Sequence, residues 1–251
     1  MSNEKIMPKH LTLEPTKHSA PPRLLIHGVE GVGKSSFAAQ LPNPIFINIE
    51  DGLGGIEANA FPVPETFEQV IEQLDAIGEG HYPCDSVVID SIDWLQELIF
   101  EHTARIGGQP DIEAFGYGKG YVKAMDDWSS VLMRLEALRD QGKIVCLLAH
   151  SQVKTFNSPI TDSYDTYGIK LHKTSAGKLS EWADIVGFAI FEVFTKTEKG
   201  GFNKETKKGV GTGKRILHVN ERPAFSAKNR YGIEGEIELS VPALMAAIAS
   251  S

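Results

Sequence analysis

The segment Gly28-Val29-Glu30-Gly31-Val32-Gly33-Lys34-Ser35, continued by Ser36, carries the densest chemical signal in the chain. Glycines at this spacing let successive backbone N–H groups turn inward around a phosphate with no Cβ in the way. A lysine directly after the last glycine can span the β- and γ-phosphates, and the next hydroxyl can ligate Mg2+. The expectation is therefore a cradle for ATP with Mg2+ running from Gly28 to Ser36, with Lys34 as its cation and Ser35 as a metal ligand. A glycine-rich turn of no special role could spell the same pattern. The context argues otherwise, because an apolar run at residues 23–27 precedes it and a helical pattern at residues 34–41 follows.

A triphosphate site also needs acids. Asp90 closes the apolar run Ser86-Val87-Val88-Ile89 and is expected to hold Mg2+ through water, with capping of the next helix as its competing use. Asp93 is an alternative cap. Hydrolysis requires a group that orients water against the γ-phosphate, and the position after Asp90 is Ser91, which cannot do this. Glu50, which ends the run at residues 45–49, would emerge at the same sheet edge as the loop; its plainer reading is a solvated acid.

A glutamate after the second strand is the arrangement of RecA-like ATPases, and here the sequence resembles that family. Leu147-Leu148-Ala149-His150-Ser151-Gln152 resembles the RecA/DnaB strand that ends in a γ-phosphate sensor, with His150 or Gln152 in that role. Ala227-Lys228-Asn229-Arg230-Tyr231-Gly232 resembles the Lys-x-Arg-x-Gly segment of DnaB-type motors. The resemblance implies that Lys228 and Arg230 reach the γ-phosphate of a neighbouring subunit, which requires a homo-oligomer, ring or filament. It covers residues 23–235 and is nearest to compact RecA-core proteins of phages, the Sak-type single-strand annealing recombinases. It implies an α/β RecA-like P-loop NTPase fold, with a mostly parallel central sheet flanked by helices and a C-terminal β-hairpin extension. The implied activity is ATP hydrolysis linked to single-stranded DNA in recombination. The implied setting is the bacterial cytoplasm, with a single-strand-binding protein as a further partner. The run Gly52-Leu53-Gly54-Gly55 and the lack of a visible N-terminal oligomerisation domain depart from the pattern, which leaves a RecA-style polymer open.

By the same resemblance two stretches would hold DNA. Residues 107–120 and their flank offer Phe115, Tyr117, Lys119 and Tyr121. Residues 154–174 offer Lys154, Phe156, Tyr164, Tyr167, Lys170 and Lys173. Cations following phosphates and aromatics stacking on bases make sequence-tolerant single-strand binding. Asp111, Glu113, Asp162 and Asp165 lie in the same stretches, so lids or subunit contacts are equally open readings. Two rival functions remain: an ATP-gated adaptor or loader for a replication motor, and a small-molecule phosphotransferase. The second would want several arginines in a lid, and between Asp90 and Gln152 there are only Arg105, Arg134 and Arg139.

The elements that must position these groups alternate apolar runs with helical patterns, the signature of a parallel sheet covered by helices. Strands are expected at residues 23–27, 44–49, 86–90, 144–149, 185–194 and 215–219. Helices are expected at 66–77, after Asp90 through Arg105, after the glycine-rich stretch at 107–120 as far as Gln141, at 175–183 and at 240–249, the last capped by Ser240. Residues 107–120 and 153–174 read as loops, and 196–214 as a Lys/Gly-rich hairpin tip. Residues 1–22 are polar and Pro-punctuated, the expectation for a loose arm ahead of one ATPase domain at 23–251. Cys84 and Cys146 have no metal-ligand spacing and are expected to be buried thiols. With 251 residues, 41% hydrophobic and 23% charged, the composition suits a globular chain, and no apolar run reaches membrane-spanning length. The net charge of −8 excludes a surface that is basic throughout, yet residues 196–230 alone carry ten Lys/Arg against three Glu.

Overall fold

The computed structural model describes residues 20–158, 160–200 and 204–251. In chain order the elements are β1 (Arg23–Gly28), α1 (Lys34–Ala38), β2 (Pro44–Asn48), β3 (Asn59–Ala60), α2 (Phe67–Gly78), β4 (Ser86–Asp90) and α3 (Ile92–Ile106). There follow α4 (Lys119–Asp140), β5 (Ile144–Phe156), β6 (Tyr164–Ile169), α5 (Lys173–Trp182), β7 (Ile185–Gly200), β8 (Lys204–His218), β9 (Lys228–Asn229), β10 (Glu236–Glu238) and α6 (Val241–Ala249).

The apolar runs become neighbouring strands in the order β10-β8-β7-β1-β5-β4-β2-β3. From β7 across to β3 every pairing is parallel, while β8 and β10 add an antiparallel C-terminal extension. Parallel strands need cover on both faces, which is why Val87, Val88 and Ile89 are apolar in succession and all fully buried. One face packs under α2, α3, α4 and α5 through Leu74, Leu95, Trp128, Leu135 and Leu179. The other packs under α1 and α6 through Phe37, Ala38, Val241 and Leu244. Each such Leu, Ile or Phe contributes roughly 1.5–3 kcal/mol on burial, so these two layers hold the sheet edge rigid. The fold class expected from the sequence is the one found. Cys84 and Cys146 are free and buried.

Four expectations change. The stretch after Gln152 is not a loop: β5 runs on to Phe156 and reverses into β6, an antiparallel hairpin standing off the main sheet. Its paired residues are exposed or only partly buried, Ile169 excepted, so no apolar run announced it. Much of the expected hairpin tip at 196–214 is itself ladder, with Lys196 opposite Lys208 and Gly200 opposite Lys204. Backbone hydrogen bonds alone close such a two-stranded ribbon, and its Lys/Gly-rich sequence carries no hydrophobic pattern to read. Residues 107–120 are packed rather than loose. A Cβ on Gly120 would collide with the Ile112 carbonyl and the Phe115 ring, and Phe115 also lies against Gly107. Helix α1 is shorter than the pattern at 34–41 suggested. Of the expected N-terminal arm, residues 1–19 lie outside the described residues. Among the described residues no helix is long and apolar enough to cross a membrane.

Candidate functional site

Because β1, β2, β4 and β5 are parallel, their carboxyl ends share one edge, the place where open α/β sheets put ligands. β1 ends at Gly28, level with His150 on β5. The chain then turns through Gly31 and Gly33, both in the left-handed region at φ 69° and 97°, which a side chain would resist. Val32 packs inward, completely buried, and pins the loop to the α1 layer, while Glu30 and Gly31 face outward. His27, just ahead of the loop, is buried and bridges Ser151 Oγ and the Ser226 carbonyl, each at 2.8 Å. Burial drives its pKa down to about 4, so the ring is neutral and acts as a strut between three segments.

Lys34 is 7% exposed, and its Nζ donates to the carbonyls of Gly28 (3.2 Å) and Val29 (3.1 Å). Burial lowers its pKa, opposed by Asp90 and then Glu50. Ser35 Oγ donates to Asp90 Oδ2 at 2.6 Å. Burial pushes the Asp90 carboxyl upward, partly offset by that bond. Glu50 is tied to the same place through its amide, which donates to the Asp90 carbonyl at 3.2 Å. The Asp90–Ser91 peptide bond is cis.

A second chain of bonds crosses the site. His150 Nδ1 lies 2.9 Å from Asp93 Oδ2, and the His150 amide donates to Asp93 Oδ1 at 3.1 Å. The other ring nitrogen lies 3.5 Å from Glu50 Oε1, while Glu50 Oε2 accepts from Ser91 Oγ at 2.9 Å. The hydrogen bond with Asp93 raises the His150 pKa, against burial. Burial alone would raise Asp93, but its bonds from His150 outweigh that and hold it low. Asp93 thus does more than the helix capping weighed for it from sequence, and Ser91 anchors Glu50. The only signal for them was their place directly after the metal-side strand.

Gly31, Gly33, Lys34, Ser35 and Ser36 join Glu50, Asp90 and His150 around one cavity of about 300 Å3. The donors present fit ATP with Mg2+. The Ser35–Asp90 bond already sets a hydroxyl and a carboxylate at one point, and Lys34 rests on neutral carbonyls that a phosphate would displace. Among the described residues no group of three or more His, Cys, Asp or Glu is placed to hold a metal ion.

Not every sequence candidate is here. Gln152 turns away, with Nε2 donating to the Ile169 carbonyl at 3.2 Å, so of the two sensor candidates it is His150 that lines the cavity. Lys228 and Arg230 sit at the opposite edge of the sheet, where β9 pairs with the start of β7. Lys228 Nζ donates to the carbonyls of Ser180, Glu181 and Ala183 at 2.7–3.0 Å, and Arg230 bonds Glu181 and Asp184. Within one chain neither approaches the loop.

The DNA candidates divide. Tyr121 stacks on His172 at 3.9 Å and 6° between planes. With Trp94, Gln152 and Lys170 these rings line a hollow of about 430 Å3 that also contains Asp93. Lys119 and Lys173 are exposed nearby at the starts of α4 and α5. Lys154 reaches the Leu171 carbonyl at 3.4 Å. Tyr167 is instead stacked on Phe188 at 5.1 Å, part of an aromatic pile with Phe225 and His218.

The chain matches a protein-family model described as an AAA domain over residues 20–231. No curated protein is matched significantly.

Proposed function

The chain belongs to the AAA domain family, whose members are P-loop nucleotide-binding ATPases, and from that footing we propose that it hydrolyses ATP with Mg2+ and couples this to single-stranded DNA. The observation that carries the ATPase half is the convergence of Lys34, Ser35, Asp90, Glu50 and His150 on one cavity. Lys34 and the loop amides hold the phosphates, and Ser35 with Asp90 holds the metal side. Mg2+, when bound, neutralises charge on the phosphate oxygens. Glu50 orients the attacking water, and His150, fixed by Asp93, stands where it can sense the terminal phosphate and stabilise its charge.

The DNA half rests on the neighbouring hollow. Trp94 and the Tyr121–His172 stack offer ring faces to bases, and Lys170 and Lys119 offer charge to phosphates. Asp93 borders this hollow and also grips His150, giving the two sites a shared side chain. This arrangement is what a Sak-type annealing recombinase of RecA-like build would use. In that reading Arg230, 40% exposed, is the cation with surface left to offer a neighbouring subunit. The phosphotransferase reading loses support because Arg105, Arg134 and Arg139 are each engaged elsewhere, with Glu68, Asp75 and Glu136 respectively.

The test is ATP turnover with and without single-stranded DNA, beside direct binding of the same oligonucleotide. Stimulated turnover with ATP-dependent binding supports the proposal. Turnover indifferent to DNA, with no binding at moderate salt, leaves an ATP-gated adaptor.

A further inference from the structure

Arg215 on β8 has no counterpart in the nucleotide site as read from the sequence, yet the fold brings it there. It pairs with Phe191, two residues past Ala189, and Ala189 is level with Gly28 where the phosphate loop begins. Alternation on β8 puts Arg215 on the same face as Leu217, which belongs to the core layer beneath α1. The guanidinium accordingly lies against the loop: a Cβ on Gly33 would collide with Arg215 Nη1, and its Cζ lies 3.5 Å from the same point. Among the described residues the Arg215 guanidinium makes neither a hydrogen bond nor an ion pair, although the Arg215 carbonyl accepts from the Leu239 amide at 3.0 Å and Glu192, Glu236 and Glu238 line the groove of about 540 Å3 into which the side chain opens. An arginine carries five donors and keeps its charge, so one left unpaired against a phosphate-binding loop is matched to an anion.

We propose that Arg215 is a second phosphate-gripping cation of the nucleotide site, contributed in cis by the C-terminal ribbon. This rests on the ATP reading above. Lys34 enters from the loop's own end, whereas Arg215 closes over Gly33 from two strands away, so the phosphate chain lies between them. The C-terminal ribbon thereby gains a role in holding nucleotide.

The experiment is equilibrium binding of fluorescent ATP and ADP analogues with Mg2+ to the wild type, Lys34→Ala, Arg215→Met and Arg215→Lys. Loss of one charge-assisted contact predicts roughly tenfold or greater weakening of both nucleotides in Arg215→Met, with Arg215→Lys in between. Arg215 is exposed, so unchanged melting temperatures are expected and would exclude misfolding as the cause. Affinity within about twofold of wild type in Arg215→Met, while Lys34→Ala loses binding, overturns the role of Arg215 and leaves the ATP site standing. A wild type that binds no nucleotide overturns the ATP reading itself.

Discussion

Lys34 and Glu50 face the same cavity with different duties, and substitution separates them. Lys34→Ala removes the buried ammonium and is expected to cost about 100-fold or more in ATP affinity, measured by titration. Glu50→Gln keeps shape and hydrogen bonding but cannot act as a base, so binding should persist while kcat falls by roughly 100-fold or more. Normal turnover in that variant would remove Glu50 from the mechanism. The Asp93–His150 pair adds a pH signature. Asp93 favours the imidazolium, so His150 keeps its proton above the ordinary value of 6.5, and the positive ring is lost only as pH rises through the raised value. If that charge assists phosphate departure, kcat declines on the alkaline side, and Asp93→Asn shifts the decline toward lower pH. A limb that stays in place in Asp93→Asn means the His150 charge plays no part. The loop from Gly28 to Ser36 was legible because phosphate chemistry demands contiguous residues. The Asp93–His150 bond was not, because its partners are 57 positions apart and each looks ordinary alone.

Among the elements, the junction of α5 with β7 is held by one carboxylate. Asp184 is fully buried and accepts from Arg23 at 2.6 Å, with Arg230 at 3.1 Å and Arg139 at 3.6 Å. Burial would raise its pKa, but the hydrogen bonds from Arg23 outweigh this and hold it below 3.8. Its stabilising effect is therefore complete above the unfolded value near 3.8 and fades as pH falls through the lower folded one. Asp184→Ala leaves three guanidinium groups without their shared anion and should destabilise the fold by about 3–5 kcal/mol, read as a lowered urea midpoint. A midpoint within error of wild type would show that the arginines find water at no loss. The same cluster gives Lys228-Asn229-Arg230 a task within the chain, beside the trans role its resemblance implies: it ties β9 to the end of α5. Local sequence reports charge but not which carbonyls lie beside it. The five central parallel strands were legible for the opposite reason, since burial on both faces writes unbroken apolar runs such as Val87-Val88-Ile89 within β4.

At the scale of the whole molecule, the nucleotide cavity and Arg230 occupy opposite edges of one sheet. A strand of six residues such as β1 separates them by about 20 Å, so Arg230 cannot serve its own chain's cavity. Any catalytic use of it requires a second copy, docked so that the amino edge of one sheet meets the carboxyl edge of the next. Such a contact joins different surfaces and propagates as a ring or a filament. Lys228 is poorly suited to this, with three carbonyls around its ammonium, whereas Arg230 can turn outward while Arg23 continues to hold Asp184. Under this proposal turnover per chain rises with protein concentration, and Arg230→Ala abolishes the rise while binding ATP as wild type does. Mixing then decides the matter. Lys34→Ala chains keep Arg230 but lack a working site, and Arg230→Ala chains keep the site but lack the finger. If the finger acts in trans, the mixture regains activity that neither variant has alone, up to about the fraction of mixed interfaces. If Arg230→Ala turns over at the wild-type rate at every concentration, Arg230 belongs to the Asp184 junction alone, and the cavity is complete within a single chain.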